Sequence, residues 1–465
     1  MQLGDVLDVV DLDVQTASIE ITRVEIDSRQ CEPGTLFFAL AGESVHGASF
    51  VDDAVSRGAV AVVASAKVRT DVAVVLVPET QLRALLARAS AAIVGRPDEH
   101  LELVGVTGTN GKTSVTTLVA ALARSLGWNA ANIGTLTNER TTPAPPELFR
   151  SMADLVGTFD ATRGRSVVAL EVSSHALDQH RVEGLAFAVV AFTNLSHDHL
   201  DYHGSMENYF AVKASLFSVE HAARAVVWCD DPYGERLAEM TKLPLTRVRR
   251  SDAKDVVASL RGTMFFWRSH LVNTSLIGDY NVDNALMAME ILRALGANEA
   301  SIASAMAGVA AVPGRFEVVG DDDVVVIVDY AHTPEGLRRL LEGVRALVEG
   351  GRVITVFGCG GDRDRAKRPE MGEVASTNSE ITIVTSDNPR SESPDAIIDA
   401  IIAGTVQGAT VLRQSDRRLA IAQALTLAKS GDAVVIAGKG HESTQVIGDL
   451  VAPFDDRVVA RELLK

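Results

Sequence analysis

Residues 107–113 read Thr-Gly-Thr-Asn-Gly-Lys-Thr and stand between an apolar run, Leu101 to Val106, and a helix-like run, Ser114 to Leu126. Strand, glycine-containing loop and helix in that order make a phosphate-binding loop. Gly108 and Gly111 let the main chain close around phosphate oxygens. The helix start offers unpaired N–H groups and the positive end of its dipole, Lys112 adds a point charge, and Thr113 adds a hydroxyl suited to magnesium. A nucleoside triphosphate is the expected ligand, with a chance Gly-Lys-Thr in a turn as the plain alternative. The general pattern asks for glycine six residues before the lysine, where this chain has Val106, so Thr107, Gly108, Thr109, Asn110, Gly111, Lys112 and Thr113 form a narrower variant.

The chain has 465 residues, more than one core usually supports, so roughly three domains of about 150 residues are expected. Its 47% hydrophobic and 23% charged content is that of a globular protein. A net charge of −17 argues against a general binder of nucleic acid or anionic membrane, which needs a basic face to displace counterions. Cys31, Cys229 and Cys359 lie far apart without metal-ligand spacing, which suggests neither a disulfide framework nor a zinc site and fits a reducing compartment. The start, Met-Gln-Leu-Gly-Asp, has no basic segment leading into an apolar one, and no apolar run approaches the roughly 18 residues of a membrane span. A cytoplasmic, monomeric enzyme is expected.

The punctuation of the chain suggests an α/β protein of three domains. Residues 1–97 alternate short β-branched runs, such as 59–63 and 72–77, with helical stretches such as 81–94, and Gly95-Arg-Pro-Asp98 reads as a linker. In residues 98–313 the apolar runs 101–106, 166–170, 186–192 and 224–228 alternate with helical patterns, the mark of a mostly parallel sheet with helices on both faces. Pro313-Gly314 marks a second boundary. Residues 314–465 carry four apolar runs, 324–328, 353–357, 381–384 and 433–437, expected to form a Rossmann-like domain. These runs lead into Asp329-Tyr-Ala-His-Thr-Pro334, Gly358-Cys-Gly-Gly-Asp-Arg-Asp364, Ser386-Asp-Asn-Pro-Arg390 and Gly438-Lys-Gly-His-Glu442. Ligands of open α/β sheets gather at the carboxyl ends of strands, so these four loops are expected to face one crevice.

A second cluster follows the run 166–170. Glu171 at a strand end beside a phosphate loop suits a hard cation, which takes oxygen ligands and keeps places for substrate phosphates. His199, in Thr193-Asn-Leu-Ser-His-Asp-His199, is a candidate second ligand, although loop histidines are commonly just hydrogen-bonded. Lys213 sits among apolar neighbours in Tyr209-Phe-Ala-Val-Lys-Ala-Ser-Leu-Phe217, where residues alone suggest a lysine whose head snorkels to water.

The phosphate loop, Asp27-Ser-Arg29, Pro33-Gly-Thr-Leu-Phe37, Thr141-Thr-Pro143, Glu171 to Arg181, Asn194 to Lys213, Asn281 to Asn284, Gly314-Arg315 and the four C-terminal loops together resemble the Mur ligase family over nearly the whole chain. They are most similar to the branch that adds the third amino acid to the peptidoglycan precursor UDP-N-acetylmuramoyl-L-alanyl-D-glutamate. The resemblance implies ATP, two Mg²⁺ ions and a carbamate formed by CO₂ on Lys213, which with His199 and Glu171 would hold the second ion. An ammonium cannot coordinate a cation; a carbamate oxygen can, and an apolar setting favours the neutral amine that carbamylation needs. It further implies that Ser28 meets the sugar nucleotide, and that Thr141, Thr142, Ser173, Gln179 and Arg181 meet the muramoyl peptide. Asn281 or Asn284 would lie near adenine, Arg315 near the phosphates and Asp329 on the ribose.

For the incoming amino acid, Asp387, Asn388, Pro389 and Arg390 resemble the signature of family members that accept meso-2,6-diaminopimelate, with Arg363, Gly438 and Glu442 completing the pocket. The distal carboxylate that lysine lacks is a fit partner for a two-pronged guanidinium. The bland alternative is an ordinary turn with a solvated arginine. Departures from the family pattern occur at Val45-His-Gly-Ala48, at Arg140, at Tyr280 where phenylalanine is usual, and at Ser443-Thr444. The expected chemistry passes the γ-phosphate to a D-glutamyl carboxylate, and an amine then attacks the acyl phosphate. Competing readings are a related ligase using lysine, ornithine, diaminobutyrate or a folate-type acceptor, and a nucleotide-regulated binding protein without ligation.

Overall fold

The computed structural model of the chain describes residues 1–8, 10–42, 45–138, 140–320, 323–348 and 350–464. The first sheet holds β1 (Arg23–Glu25), β2 (Thr35–Ala39), β3 (Ala59–Ala64) and β4 (Ala73–Leu76), parallel and in that order. Leu36, Phe38, Ala61 and Val63 pack toward helix Glu79–Ile93, while Phe37, Ala39, Val62 and Ala64 pack toward helix Val51–Ser56.

The central sheet comprises β5 (Glu102–Thr107), β6 (Asn129–Ile133), β7 (Ser166–Glu171), β8 (Phe187–Phe192), β9 (Ala225–Trp228) and β10 (Leu245–Val248). Its order is β10-β9-β8-β5-β7-β6, with every pair parallel. Successive residues of a strand point to opposite faces. Val104, Val106, Val167 and Ala169 join a core with helices Lys112–Ser125 and Asp279–Ala294, whereas Leu103, Val168 and Leu170 join one with helix Pro145–Thr158. Burial on both faces is why these strands read as unbroken apolar runs. The strand order reverses beside β5, which opens a crevice at the carboxyl ends of β5, β7 and β8.

Between the central sheet and the last one lies an antiparallel meander of β11 (Ala253–Ser259), β12 (Gly262–Trp267) and β13 (His270–Thr274), which the sequence reading did not anticipate. The C-terminal sheet contains β14 (Glu317–Gly320), β15 (Val325–Asp329), β16 (Val353–Phe357), β17 (Ile381–Val384), β18 (Val411–Arg413) and β19 (Ala433–Ala437), ordered β14-β15-β19-β16-β17-β18. Only β14 runs antiparallel to its neighbour. A hairpin, β20 (Thr444–Ile447) and β21 (Leu450–Pro453), follows β19. Among the described residues no helix is long and apolar enough to cross a membrane.

Candidate active site

The phosphate loop leaves β5 and is held from the side by the loop after β8. Thr109 N donates to Asn194 O at 2.8 Å, Asn110 N to Asn194 Oδ1 at 3.0 Å, and Thr193 Oγ1 to Asn110 O at 2.6 Å. Gly108, at φ +146°, has no room for a side chain: a Cβ there would collide with Thr193 Oγ1. Gly111 starts the helix at φ +88°, with Asn284 Oδ1 against it. Lys112 folds back, donating to Gly108 O and Thr109 O, each at 2.9 Å. Burial lowers its pKa, and Glu171 and Asp198 act the other way.

Glu171, at the end of β7, is fully buried. Its Oε2 accepts from Thr113 Oγ1 at 2.9 Å and its Oε1 from Thr135 N at 2.8 Å. Burial raises its pKa, opposed by Lys112 and these hydrogen bonds. Gly134 presses against this carboxylate so closely that an added Cβ would overlap Oε1. Arg315 Nη2 lies 3.4 Å from Thr113 Oγ1, with its guanidinium 4.1 Å above the Tyr330 ring.

Lys213 does not reach water. Its side chain is 1% exposed, and Nζ donates to Gly108 O at 3.0 Å and lies 3.4 Å from Thr107 Oγ1, beneath the phosphate loop. Burial and then the Lys112 charge hold the amine well below its usual pKa. His199 occupies a left-handed backbone position at φ 53° and lies 3.5 Å from the Asp198 carboxylate. Burial, reinforced by His175, Lys112 and Lys213, lowers the imidazole to about 4 despite Asp198. Among the described residues no three His, Cys, Asp or Glu side chains cluster as a ready metal site.

The carboxyl ends of the central and C-terminal sheets border one cleft of ≈ 1360 Å³. Residues 109–113, Thr141, Glu171, His199, Asn284, Arg315, Asp329, Arg363, Asp387, Asn388, Arg390, Gly438 and Glu442 all line it, so the four C-terminal loops do face one crevice. Lys213 lies under its floor. Asn281 stands behind Asn284, donating to Ile277 O at 2.8 Å.

The remaining candidates lie elsewhere. Thr142 Oγ1 donates to Glu171 O at 2.7 Å and accepts from Ser173 N at 3.0 Å, while Arg181 Nη1 donates to Thr142 O at 2.7 Å and Nη2 to Gln179 Oε1 at 2.8 Å. These four form a polar patch beside Glu171. Ser28 is buried at the start of the short 3-10 turn between β1 and β2, where it helps to lower the pKa of nearby Asp53. Arg140 is close enough to Asp27 to lower its pKa, behind the larger effect of Arg29, so the loop after β6 approaches the Ser28 region.

Several residues in or behind the cleft escaped the sequence reading. Thr135 and Gly134 belong to no quoted motif, while Asp198 and Lys439 lie within quoted motifs but were given no role. Lys439 is fully buried, with Nζ 2.7 Å from Thr444 O, 3.2 Å from Glu442 Oε2 and 3.3 Å from Asn388 Oδ1.

Three family descriptions match in tandem: the Mur ligase family catalytic domain over residues 20–124, the Mur ligase middle domain over 106–292, and the Mur ligase glutamate ligase domain over 314–440. A protein of Gloeobacter violaceus named UDP-N-acetylmuramoyl-L-alanyl-D-glutamate--2,6-diaminopimelate ligase is 43% identical over 486 residues, 100% of this chain and 98% of the relative. The chain belongs to the Mur ligase family. Another relative of this Mur ligase, with the same name, from Syntrophomonas wolfei, is 41% identical across 100% of this chain and 99% of its own length. A solved structure of a ligase of that name superposes at TM-score 0.68 with 31% identity, covering 100% of this chain and 98% of the other. The MurF ligase of Thermotoga maritima in complex with ADP, at TM-score 0.64 and 20% identity over 95% of this chain and 96% of the other, shares the fold.

Proposed function

We propose that this Mur ligase is an ATP-dependent enzyme that joins meso-2,6-diaminopimelate to the D-glutamyl carboxylate of UDP-N-acetylmuramoyl-L-alanyl-D-glutamate, releasing ADP and phosphate. The observation that carries the reading is that one cleft has the phosphate loop on one wall and Asp387, Asn388, Arg390 and Glu442 on the other. The full-length relatives named for this reaction support it. An acyl phosphate must meet its amine before water does, so the two walls have to share an enclosed space.

Phosphoryl transfer asks for position and charge neutralisation more than for a protein nucleophile. Main-chain N–H groups of residues 109–113 hold the phosphates, and Lys112 exchanges its carbonyl partners for phosphate oxygens. Arg315 adds charge from the junction with the C-terminal sheet. Helix Asp279–Ala294 carries Asn284 to the purine end, and Asp329 lies at the ribose. Thr141, Thr142, Ser173, Gln179 and Arg181 orient the muramoyl peptide, and Ser28 holds the sugar nucleotide. Arg390 and Arg363 receive carboxylate, while Glu442 and Asp387 receive ammonium.

The donors present suit magnesium: Thr113 Oγ1 and a buried Glu171 carboxylate 2.9 Å away offer hard oxygens to a cation. Lys213 suits carbamylation, because its amine is buried and held below its usual pKa. Thr113 and Glu171 would hold one ion and carbamylated Lys213 with His199 and Glu171 a second. When bound there, the ions neutralise phosphate and carboxylate charge. The acidic chain, with a net charge of −17, fits a cytoplasmic enzyme of soluble precursors.

Purified enzyme given the UDP-linked dipeptide, ATP and a panel of amino acids, scored by phosphate release and product mass, tests the proposal. Turnover with diaminopimelate is expected; turnover only with lysine, ornithine or a folate-type acceptor would overturn it. Lys213→Ala should lose at least about 100-fold in ligation with the fold retained, and short carboxylates should restore part of it. Undiminished activity in the unrescued variant would remove Lys213 from the metal site.

A further inference from the structure

The loop carrying Asn388 and Arg390 is braced from behind by residues that follow β19. Asn388 Oδ1 accepts from Lys439 Nζ at 3.3 Å and from Val446 N at 3.0 Å. With its oxygen committed to two donors, the amide turns its NH₂ toward Glu442 Oε2, 2.8 Å away. Lys439 also donates to that same Oε2 at 3.2 Å and to Thr444 O at 2.7 Å, so all three of its N–H groups are engaged. Thr444 opens β20, and β20 in turn holds Arg390: Arg390 N donates to Val446 O at 3.1 Å, and Gly448 N to Arg390 O at 2.7 Å. Arg390 sits at φ 49°, a conformation that a side chain other than glycine keeps only when its surroundings impose it. Gln445 Nε2 adds a bond to Asp387 O at 2.7 Å.

We propose that Lys439 is a positioning residue for recognition of the incoming amino acid. Its buried ammonium sets the orientation of the Asn388 amide, neutralises one oxygen of Glu442 and leaves the other oxygen for the amino acid's ammonium. It also anchors the strand that keeps Arg390 in its constrained backbone state. The inference rests on the reading of this wall as the amino-acid site. Without Lys439 the amide can turn its oxygen against the Glu442 carboxylate and β20 loses its first tie. The phosphate loop, on the opposite wall, is untouched.

Steady-state kinetics of wild type, Lys439→Met, Glu442→Gln and the double variant, with melting curves for each, test this. Lys439→Met should raise KM for diaminopimelate at least about tenfold and leave KM for ATP within about twofold. Because Lys439 acts in part through Glu442, the double variant should be less impaired than the product of the two single effects. An unchanged KM for the amino acid, an equal rise in KM for ATP, or independent multiplication of the two single effects would overturn the proposal. Should Lys439→Met lose its folding transition, Asn388→Asp serves instead: it still accepts from Lys439 and Val446 but cannot donate to Glu442, so the same selective rise is expected and its absence is fatal. If wild type uses a different amino acid, the diaminopimelate reading fails alone, and the same comparison with the accepted amino acid still decides the role of Lys439.

Discussion

The hydroxyl of Tyr280 donates to Asp329 Oδ2 at 2.8 Å, joining the first turn of helix Asp279–Ala294 on the central sheet to the end of β15 in the C-terminal sheet. Phe316 N donates to the same oxygen at 2.7 Å and Ala331 N to the other at 2.7 Å. Burial raises the Asp329 pKa, and Arg315 and these donors oppose it. Tyr280 is therefore a tie across the junction that carries Arg315. We predict that Tyr280→Phe, which keeps the ring against Phe316, costs about 1.5 kcal/mol of stability and lowers kcat roughly fivefold as Arg315 loses its fixed place. Calorimetry and turnover numbers identical to wild type would show that the bond carries no weight.

Gly134 is required by closeness alone. A Cβ there would displace the Glu171 carboxylate, so Gly134→Ala should cut kcat by about 100-fold and weaken magnesium dependence, with a modest fall in melting temperature. Magnesium titrations of activity decide the point, and a variant with normal magnesium response would place Glu171 outside the ion's reach.

Arg390 Nη1 donates to Gly361 O at 2.8 Å, which aims the guanidinium before any ligand arrives. Arg390→Lys keeps the charge but loses the planar fork. We expect kcat/KM for diaminopimelate to fall by about 100-fold and the preference over L-lysine to shrink with it. Equal losses for both amino acids would indicate a role in folding the loop rather than in reading the distal carboxylate.

Asp283 faces Arg250 Nη1 at 3.3 Å and Arg339 at 3.9 Å. Burial nevertheless pushes its pKa up to about 6, the two arginines holding it from rising further. The unfolded chain releases this proton near pH 4, before the folded one does, so the group's contribution to stability falls as pH rises from about 4 to about 6 and is level above that. Asp283→Asn should flatten that part of the stability profile and raise stability at pH 7.5 by about 2 kcal/mol. Chemical denaturation at pH 4.5 and 7.5 checks the sign, and a variant less stable than wild type at pH 7.5 would mean that the arginine pairs outweigh the burial.

What the sequence discloses follows from how each part meets solvent. Strands buried on both faces leave continuous apolar runs, so 353–357, 381–384 and 433–437 match β16, β17 and β19 without a shift, and the loops that follow them identify the cleft. The meander β11 to β13 was missed because β12 is buried on one face only and the turn joining it to β13, Arg268-Ser269, takes φ 46° and 70° without the usual glycine or asparagine. β6, Asn-Ala-Ala-Asn-Ile, has a single β-branched residue and leaves no strand pattern. Lys213 was legible only through the family resemblance, since an isolated lysine among apolar residues does not disclose whether it meets water or a carbonyl. The approach of Gly134 to Glu171 and the bond of Lys439 to Asn388 join segments far apart in sequence, which no local pattern records.

Arg315 leaves the chain where it passes from the central sheet to the C-terminal one, and its guanidinium reaches back over Tyr330 to the hydroxyl of Thr113. The segment that joins the two sheets thus also carries a cation to the phosphate loop. A small wedge lodged between that guanidinium and the tyrosine ring would weaken the hold on nucleotide phosphate, and nucleotide would oppose the wedge to the same degree.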